Sequence, residues 1–126
     1  MDSGVYVVWL YLPEQTTITI GKLGTYPFPS GIYAYAGSAQ RNLRHRVQRH
    51  RRLDKRLHWH VDYLRPHCSY LGDVVFQGQP KQKECWLVQE LLRIPSAYYV
   101  VPRFGASDCK CGSHLVSIPI AEPKNM

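Results

Sequence analysis

Hydrophobic residues along this chain fall into short runs of two kinds, and their spacing lays out the secondary structure. Residues 4–12, GVYVVWLYL, are β-branched and aromatic without a break and stop at Pro13, which predicts a strand. TTITI, 16–20, alternates and ends at Gly21, predicting a second strand in a hairpin with the first. GKLGTYPFPSG, 21–31, carries three glycines and two prolines and reads as a turn-rich connection. IYAYAG, 32–37, is a third strand closed by Gly37.

Helical spacing begins at Asn42. Leu43 and Val47 stand four apart, and arginines fill the other faces to about Leu53. LHWHVDYL, 57–64, fits both periods: Leu57, Trp59 and Val61 alternate, while Leu57, Val61 and Leu64 make a helical face, and Pro66 ends either. YLGDVVF, 70–76, reads as a strand. KQKECWLVQELLRI, 81–94, is the clearest helix, with Cys85, Val88, Leu91 and Leu92 on one stripe and Pro95 as its stop. AYYVV, 97–101, and HLVSIPI, 114–120, read as closing strands around the loop PRFGASDCKCGS. The expected class is α+β: a small, mostly antiparallel sheet flanked by helices, with an extra N-terminal hairpin strand and C-terminal strands, in one domain over 1–126.

Composition changes this picture little. At 44% hydrophobic and 20% charged residues, the 126-residue chain has ordinary globular usage. No run approaches the roughly 18 apolar residues of a membrane span, and the amino terminus lacks the basic-then-apolar pattern of a secretory signal. A cytoplasmic protein without membrane association is expected. A chain of this length folds without staples, so the cysteines at 68, 85, 109 and 111 are expected as reduced thiols.

Charge changes it more. The net charge is +7, and eight of the sixteen Lys and Arg lie between Arg41 and Arg56 against a single acid, Asp54. Four of the six histidines (45, 50, 58 and 60) sit in or just beyond that stretch. Positive charge gathered on one element is the footprint of a polyanion site. The candidate nucleic-acid contacts are Ser38, Arg41, Arg44, Arg49, Arg51, Arg52, His58 and His60.

The candidate chemistry starts from tyrosines. Tyr33 and Tyr35 lie side by side on one strand, since residues two apart share a face. If the first and third strands are antiparallel neighbours, Tyr6 and Tyr35 instead converge from separate strands, which fixes a site better. GVY (4–6) with YAG (35–37) is therefore the working pair, and GIY at 31–33 is a decoy. Phosphodiester hydrolysis needs an activated water and stabilisation of charge on the phosphoryl oxygens. Glu84 suits a hard cation such as Mg²⁺ or Mn²⁺, which needs only one or two carboxylates. Tyr6 would serve as general base if its pKa falls from about 10. Arg46 offers a planar fork for phosphate oxygens, with Arg44, Arg49 and His50 holding the flanking backbone. Glu90 is the rival metal ligand, but Leu91 and Leu92 flank it.

These residues carry a family resemblance. Gly4-Val5-Tyr6, Tyr35-Ala36-Gly37-Ser38-Ala39, then Asn42-Leu43-Arg44-His45-Arg46-Val47 and His50 resemble the GIY-YIG nuclease superfamily. Its members place two tyrosine motifs on neighbouring strands, then a helix bearing an arginine and a later helix bearing a glutamate. ECWLV, 84–88, is similar to the glutamate motif. GSA, RHRR, HWHVDYL and FGASDCKCGSHL further resemble a branch sometimes found fused to DNA-repair domains. The resemblance implies a GIY-YIG-like fold and a divalent-metal-dependent endonuclease acting in DNA repair or processing, on DNA in preference to RNA. It implies catalytic roles for Tyr6, Tyr35, Arg46, His50 and Glu84, with Glu84 on the metal. RIPSAYYV holds Pro95, Tyr98 and Tyr99 but lacks the asparagine common there in the family. The alternative is therefore a non-catalytic nucleic-acid-binding module on the same scaffold.

A second cluster is Cys109, Cys111 and His114, which with His58 or His60 could form a Cys₂His₂ zinc site. The Cys-x-Cys spacing is tighter than zinc sites usually use. A Gly-rich turn with incidental thiols is the preferred reading.

Overall fold

The computed structural model describes residues 2–106 and 111–120. Strand β1, Gly4–Leu12, pairs antiparallel with two neighbours, and cover on its two faces explains why its sequence runs apolar without alternation. Both of its faces are covered. Tyr6, Val8, Leu10 and Leu12 enter one buried cluster, and Val5 and Val7 enter another on the opposite side. Beside it lies β4, Gly31–Ala39, with Tyr6 opposite Gly37 and Val8 opposite Tyr35. The other neighbour is β5, Ser69–Gln77, whose register shifts between Trp9 and Leu10. The short β6, Leu115–Ile118, adds to β4, giving a four-stranded antiparallel sheet in the order β5-β1-β4-β6.

A separate two-stranded sheet pairs β2, Thr16–Ile20, with β3, Gly24–Phe28. The second strand thus pairs forward, not back onto β1 as expected. The stretch expected as a plain connection holds a 3₁₀ turn, Gly21–Leu23, and then β3 itself. The turn-rich composition belongs to the tip of this hairpin. Ile18, Ile20 and Phe28 point inward from it to the first cluster.

Three helices complete the α+β architecture. Helix α1, Leu43–Arg51, buries Leu43, Val47 and His50, one stripe at positions 0, 4 and 7. Asp2 closes its N-terminus: its carbonyl accepts from the Leu43 N–H at 3.1 Å, and its carboxylate from the Arg44 N–H at 3.2 and 3.3 Å. The buried Arg65 closes the other end, donating to the carbonyls of His50, Arg51 and Cys68 at 3.0, 2.8 and 2.9 Å.

The ambiguous 57–64 stretch forms a short helix, α2, His60–Leu64. Asp62 decides it, because its carboxylate accepts from the N–H groups of His58 and Trp59 at 2.8 and 2.9 Å, the acid's half of a capping box. Helix α3, Lys83–Leu92, covers the second face of the sheet with Leu87, Val88 and Leu91. Ala34 and Ala36 of β4 are buried in the same cluster, where small side chains let the helix approach. The expected strand at 97–101 is reduced to a single bridge, Tyr98 with Ser117. No helix among the described residues is long and apolar enough to cross a membrane.

Candidate active site

Strands β1 and β4 and helices α1 and α3 contribute side chains to one small cavity of about 160 Å³. Tyr6 reaches it from β1, Tyr35, Gly37 and Ser38 from β4, Arg46 from α1, and Glu84 from the first turn of α3. Lys81, Trp59 and Gly105 complete its wall. The strand pairing explains the tyrosines: β1 and β4 are neighbours, and Tyr6 and Tyr35 enter the same cluster.

Gly37 shows why the second motif ends in glycine. The Tyr6 ring lies across it, so a Cβ there would stand 2.5 Å from both Cζ and Oη of Tyr6. Gly105 plays a similar part behind Tyr35. It adopts φ +69°, and a Cβ would stand 3.0 Å from the Tyr35 ring. Its N–H donates to Nδ1 of His60 at 2.8 Å, which pins the 103–105 turn to α2. The GIY at 31–33 lies at the start of β4, and Tyr33 does not line the cavity.

Behind the cavity, the Tyr6 hydroxyl lies 2.8 Å from Nε2 of His50. His50 is 2% exposed, a buried member of the α1 stripe and not a group at the edge of the site. Burial, reinforced by the Lys55 ammonium, lowers its pKa to about 3, so it is neutral at ordinary pH. Its Nδ1 is buried without a hydrogen-bond partner among the described residues. The pKa of Tyr6 is raised well above 10, first by burial, then by Tyr35 and Glu84, with Arg46 opposing. The condition expected of Tyr6, a lowered pKa, is therefore not met by these side chains, because its phenol is buried and faces a carboxylate.

Arg46 donates to the Ser38 carbonyl at 2.7 Å, and its guanidinium lies 4.6 Å from the Trp59 ring centroid. Arg49 lies at the same distance from Trp59, but its charge is committed elsewhere. It grips the fully buried Asp62 carboxylate with two bonds of 3.1 Å and donates to the Arg56 carbonyl at 2.6 Å. Arg51 pairs with Asp73 at 3.0 Å. The expected backbone-holding role of Arg49 thus gives way to a structural ion pair. Arg44 lines a different cavity, beside Asp2, Arg51 and Asp73. His58 packs edge-on against Trp59, its ring centroid 4.3 Å away, and Arg52 donates to the Asp54 carbonyl. Glu84 is 7% exposed and faces the cavity, whereas Glu90 is exposed and lies 3.5 Å from Arg93.

Trp59, Lys81 and Asp62 were not singled out by sequence reasoning. Asp62 carried a signal, as the one acid in the 57–64 stretch directly following the basic run.

Two further cavities continue from the first. One of about 290 Å³ shares Ser38, Arg46 and Lys81 with it and adds Ala39, Gln40 and Arg41. The next, about 380 Å³, shares Ser38 to Gln40 and Lys81 and runs along 78–82. Together they form a polar groove leading from Tyr6 past Arg41.

Of the second cluster, Cys109 lies outside the described residues. Cys111 and His114 come together not with His58 or His60 but with Cys85 of α3. Cys85 and Cys111 form a disulfide, so the expectation of four reduced thiols is corrected; Cys68 is free and buried, its thiol pushed up to about 12.

Fold and site together define an α+β protein in which tyrosine, arginine and glutamate from two strands and two helices share one cavity. The chain belongs to the family described as "Domain of unknown function DUF123", which matches residues 5–126. No curated protein and no solved structure was found to match it.

Proposed function

We propose that this protein is a divalent-metal-dependent phosphodiesterase, an endonuclease acting on nucleic acid, on DNA in preference to RNA, with a GIY-YIG-like fold. The observation that carries the reading is the convergence of Tyr6, Tyr35, Arg46 and Glu84 on one polar cavity that opens into a groove past Arg41. Glu84 is the single carboxylate among the cavity-lining residues, which fits Mg²⁺ or Mn²⁺, cations that keep several waters and need few protein ligands. When bound, such an ion supplies an activated water and Lewis-acid stabilisation of the leaving oxygen.

The chain's own residues do the rest. The groove seats the strand, with Arg41 on a neighbouring phosphate. Arg46, braced by the Ser38 carbonyl and the Trp59 face, presents its remaining N–H groups to the scissile phosphate. Tyr6 takes a proton of the attacking water at its oxygen as its own proton passes to Nε2 of neutral His50, which leaves the phenol neutral and places the charge on the imidazole, whose low pKa sets the cost of the step. Tyr35, packed edge-on against His50 and Phe104, holds that pair in place.

The test is cleavage of branched, nicked and single-stranded DNA and RNA with Mg²⁺ or Mn²⁺. Glu84→Gln should abolish turnover, and Arg46→Ala should lower it by about 10²–10³ with metal affinity intact, by analogy with a single oxyanion donor. Activity undiminished in Glu84→Gln would overturn the proposal. Binding without cleavage by the parent would establish the second reading, a nucleic-acid-binding module, which the high pKa of Tyr6 favours.

A further inference from the structure

On the far side of Glu84, three soft ligands meet. Cys85 sits in the first turn of α3; Cys111 and His114 lie on the segment entering β6. A sulfur or nitrogen from each lies within 4.8 Å of the other two. Cys111 and His114 are 7% and 2% exposed and Cys85 is half-buried, so the cluster faces the interior and opens to solvent only at Cys85.

We propose that Cys85, Cys111 and His114 form a Zn²⁺ site whose metal-bound state alternates with the Cys85–Cys111 disulfide. The disulfide joins two of the three ligand atoms, and His114 brings a ring nitrogen within 4.8 Å of both sulfurs. Tetrahedral zinc, with bonds of about 2.3 Å to sulfur and 2.0–2.1 Å to nitrogen, sets its ligand atoms roughly 3.5–3.8 Å apart. Reduction frees the two sulfurs to part to that separation, and the ring nitrogen already lies within 4.8 Å of both. Three protein ligands leave one position for water.

The exchange balances. A cellular dithiol gives two electrons and two protons to the disulfide, leaving two cysteine thiols and the dithiol's own disulfide. Zn²⁺ then displaces both thiol protons, and His114 binds through a neutral ring nitrogen. Oxidation of the two thiolates by a disulfide reverses the sequence, releasing the ion and restoring the S–S bond.

In either state the first turn of α3, one residue beyond Glu84, stays tied to the segment entering β6. The tether therefore persists under both reducing and oxidising conditions. The site does not depend on the nuclease reading.

The test uses the full chain, reduced with a phosphine, stripped of metal and titrated with Co²⁺. The expected result is one Co²⁺ per chain, with a thiolate charge-transfer band and the visible bands of a tetrahedral ion, both bleached by Zn²⁺. The oxidised protein should show neither. Cys85→Ser and Cys111→Ser should each abolish the spectrum, and Cys68→Ser should leave it unchanged. His114→Cys keeps a ligand at every position and should bind Co²⁺ with a stronger charge-transfer band. No spectrum from the reduced, folded parent overturns the proposal. So does binding that survives Cys85→Ser but is lost in Cys109→Ser, or a His114→Cys spectrum identical to the parent's.

Discussion

The phenolic oxygen of Tyr6 and Nε2 of His50 stand 2.8 Å apart across 44 positions of sequence. One group has a raised pKa and the other a lowered one, and burial is the leading cause of both shifts. Neither is a good base alone. As a pair they allow a proton to move from oxygen to nitrogen, so that the charge falls on the imidazole and not on the phenol.

If that relay operates, Tyr6→Phe and His50→Gln should each cut the cleavage rate by at least about 10²-fold, the usual lower range for acid–base assistance. Affinity for nucleic acid should change little, because neither group carries a charge to set against phosphate. Single-turnover rates beside binding isotherms make the check. Equal rates for parent and Tyr6→Phe would remove Tyr6 from the chemistry.

His50 also sets a pH dependence of folding. Its pKa is about 3 in the folded protein and 6.5 otherwise, so the unfolded chain binds the extra proton between those values. The stabilisation is present above pH 6.5 and is lost as pH falls toward 3, with a slope of up to about 1.4 kcal/mol per pH unit. Urea melts across this window should show that slope in the parent. In His50→Gln it should be shallower by nearly that amount.

Gly37→Ala puts a methyl group 2.5 Å from the Tyr6 ring and hydroxyl. The ring must leave its place, so stability should fall by about 1–3 kcal/mol, as for other overpacked cores. The Tyr6→Leu/Gly37→Ala double variant should lose less than the two single losses added together. Strict additivity in that cycle would mean that the two residues do not meet as described.

The arginines of α1 and of the turn before it should divide by what they touch. Arg41→Ala, on the groove, should flatten the dependence of log K on log salt by about 0.9 for duplex DNA. Arg44→Ala, which faces another cavity, should leave that slope nearly unchanged. Arg49→Ala should act on stability instead. It strips the main partner from a fully buried carboxylate, and losses of about 3–5 kcal/mol follow from such breaks. Fluorescence titrations at several salt concentrations, beside thermal melts, separate the three.

Much of this was already written in the residues. The unbroken apolar run of 4–12 marked a strand, and supposing it an antiparallel neighbour of the third strand made Tyr6 and Tyr35 candidates for one face. The stripe of Cys85, Val88, Leu91 and Leu92 marked the helix that carries Glu84, and Val88 and Leu91 of that stripe are packed against the sheet. Strand and helix periods are local properties, set by which side chains a few neighbouring residues turn inward, so a single chain segment suffices to read them. Other outcomes depended on groups far apart in sequence. Whether 57–64 became strand or helix turned on Asp62 finding the His58 and Trp59 N–H groups and the Arg49 fork together. Arg46 and Arg49 share one helix three residues apart, and only the position of α2 sends one to the cavity and the other to Asp62. β2 was expected to pair back onto β1 and found β3 instead, and Cys85 had no visible relation to Cys111 until α3 lay against β4 and β6. Spacing along the chain determined which faces these side chains occupy; which of them meet was decided by the packing of the sheet and helices, because long-range ion pairs and covalent links form only where the whole core brings their atoms into contact.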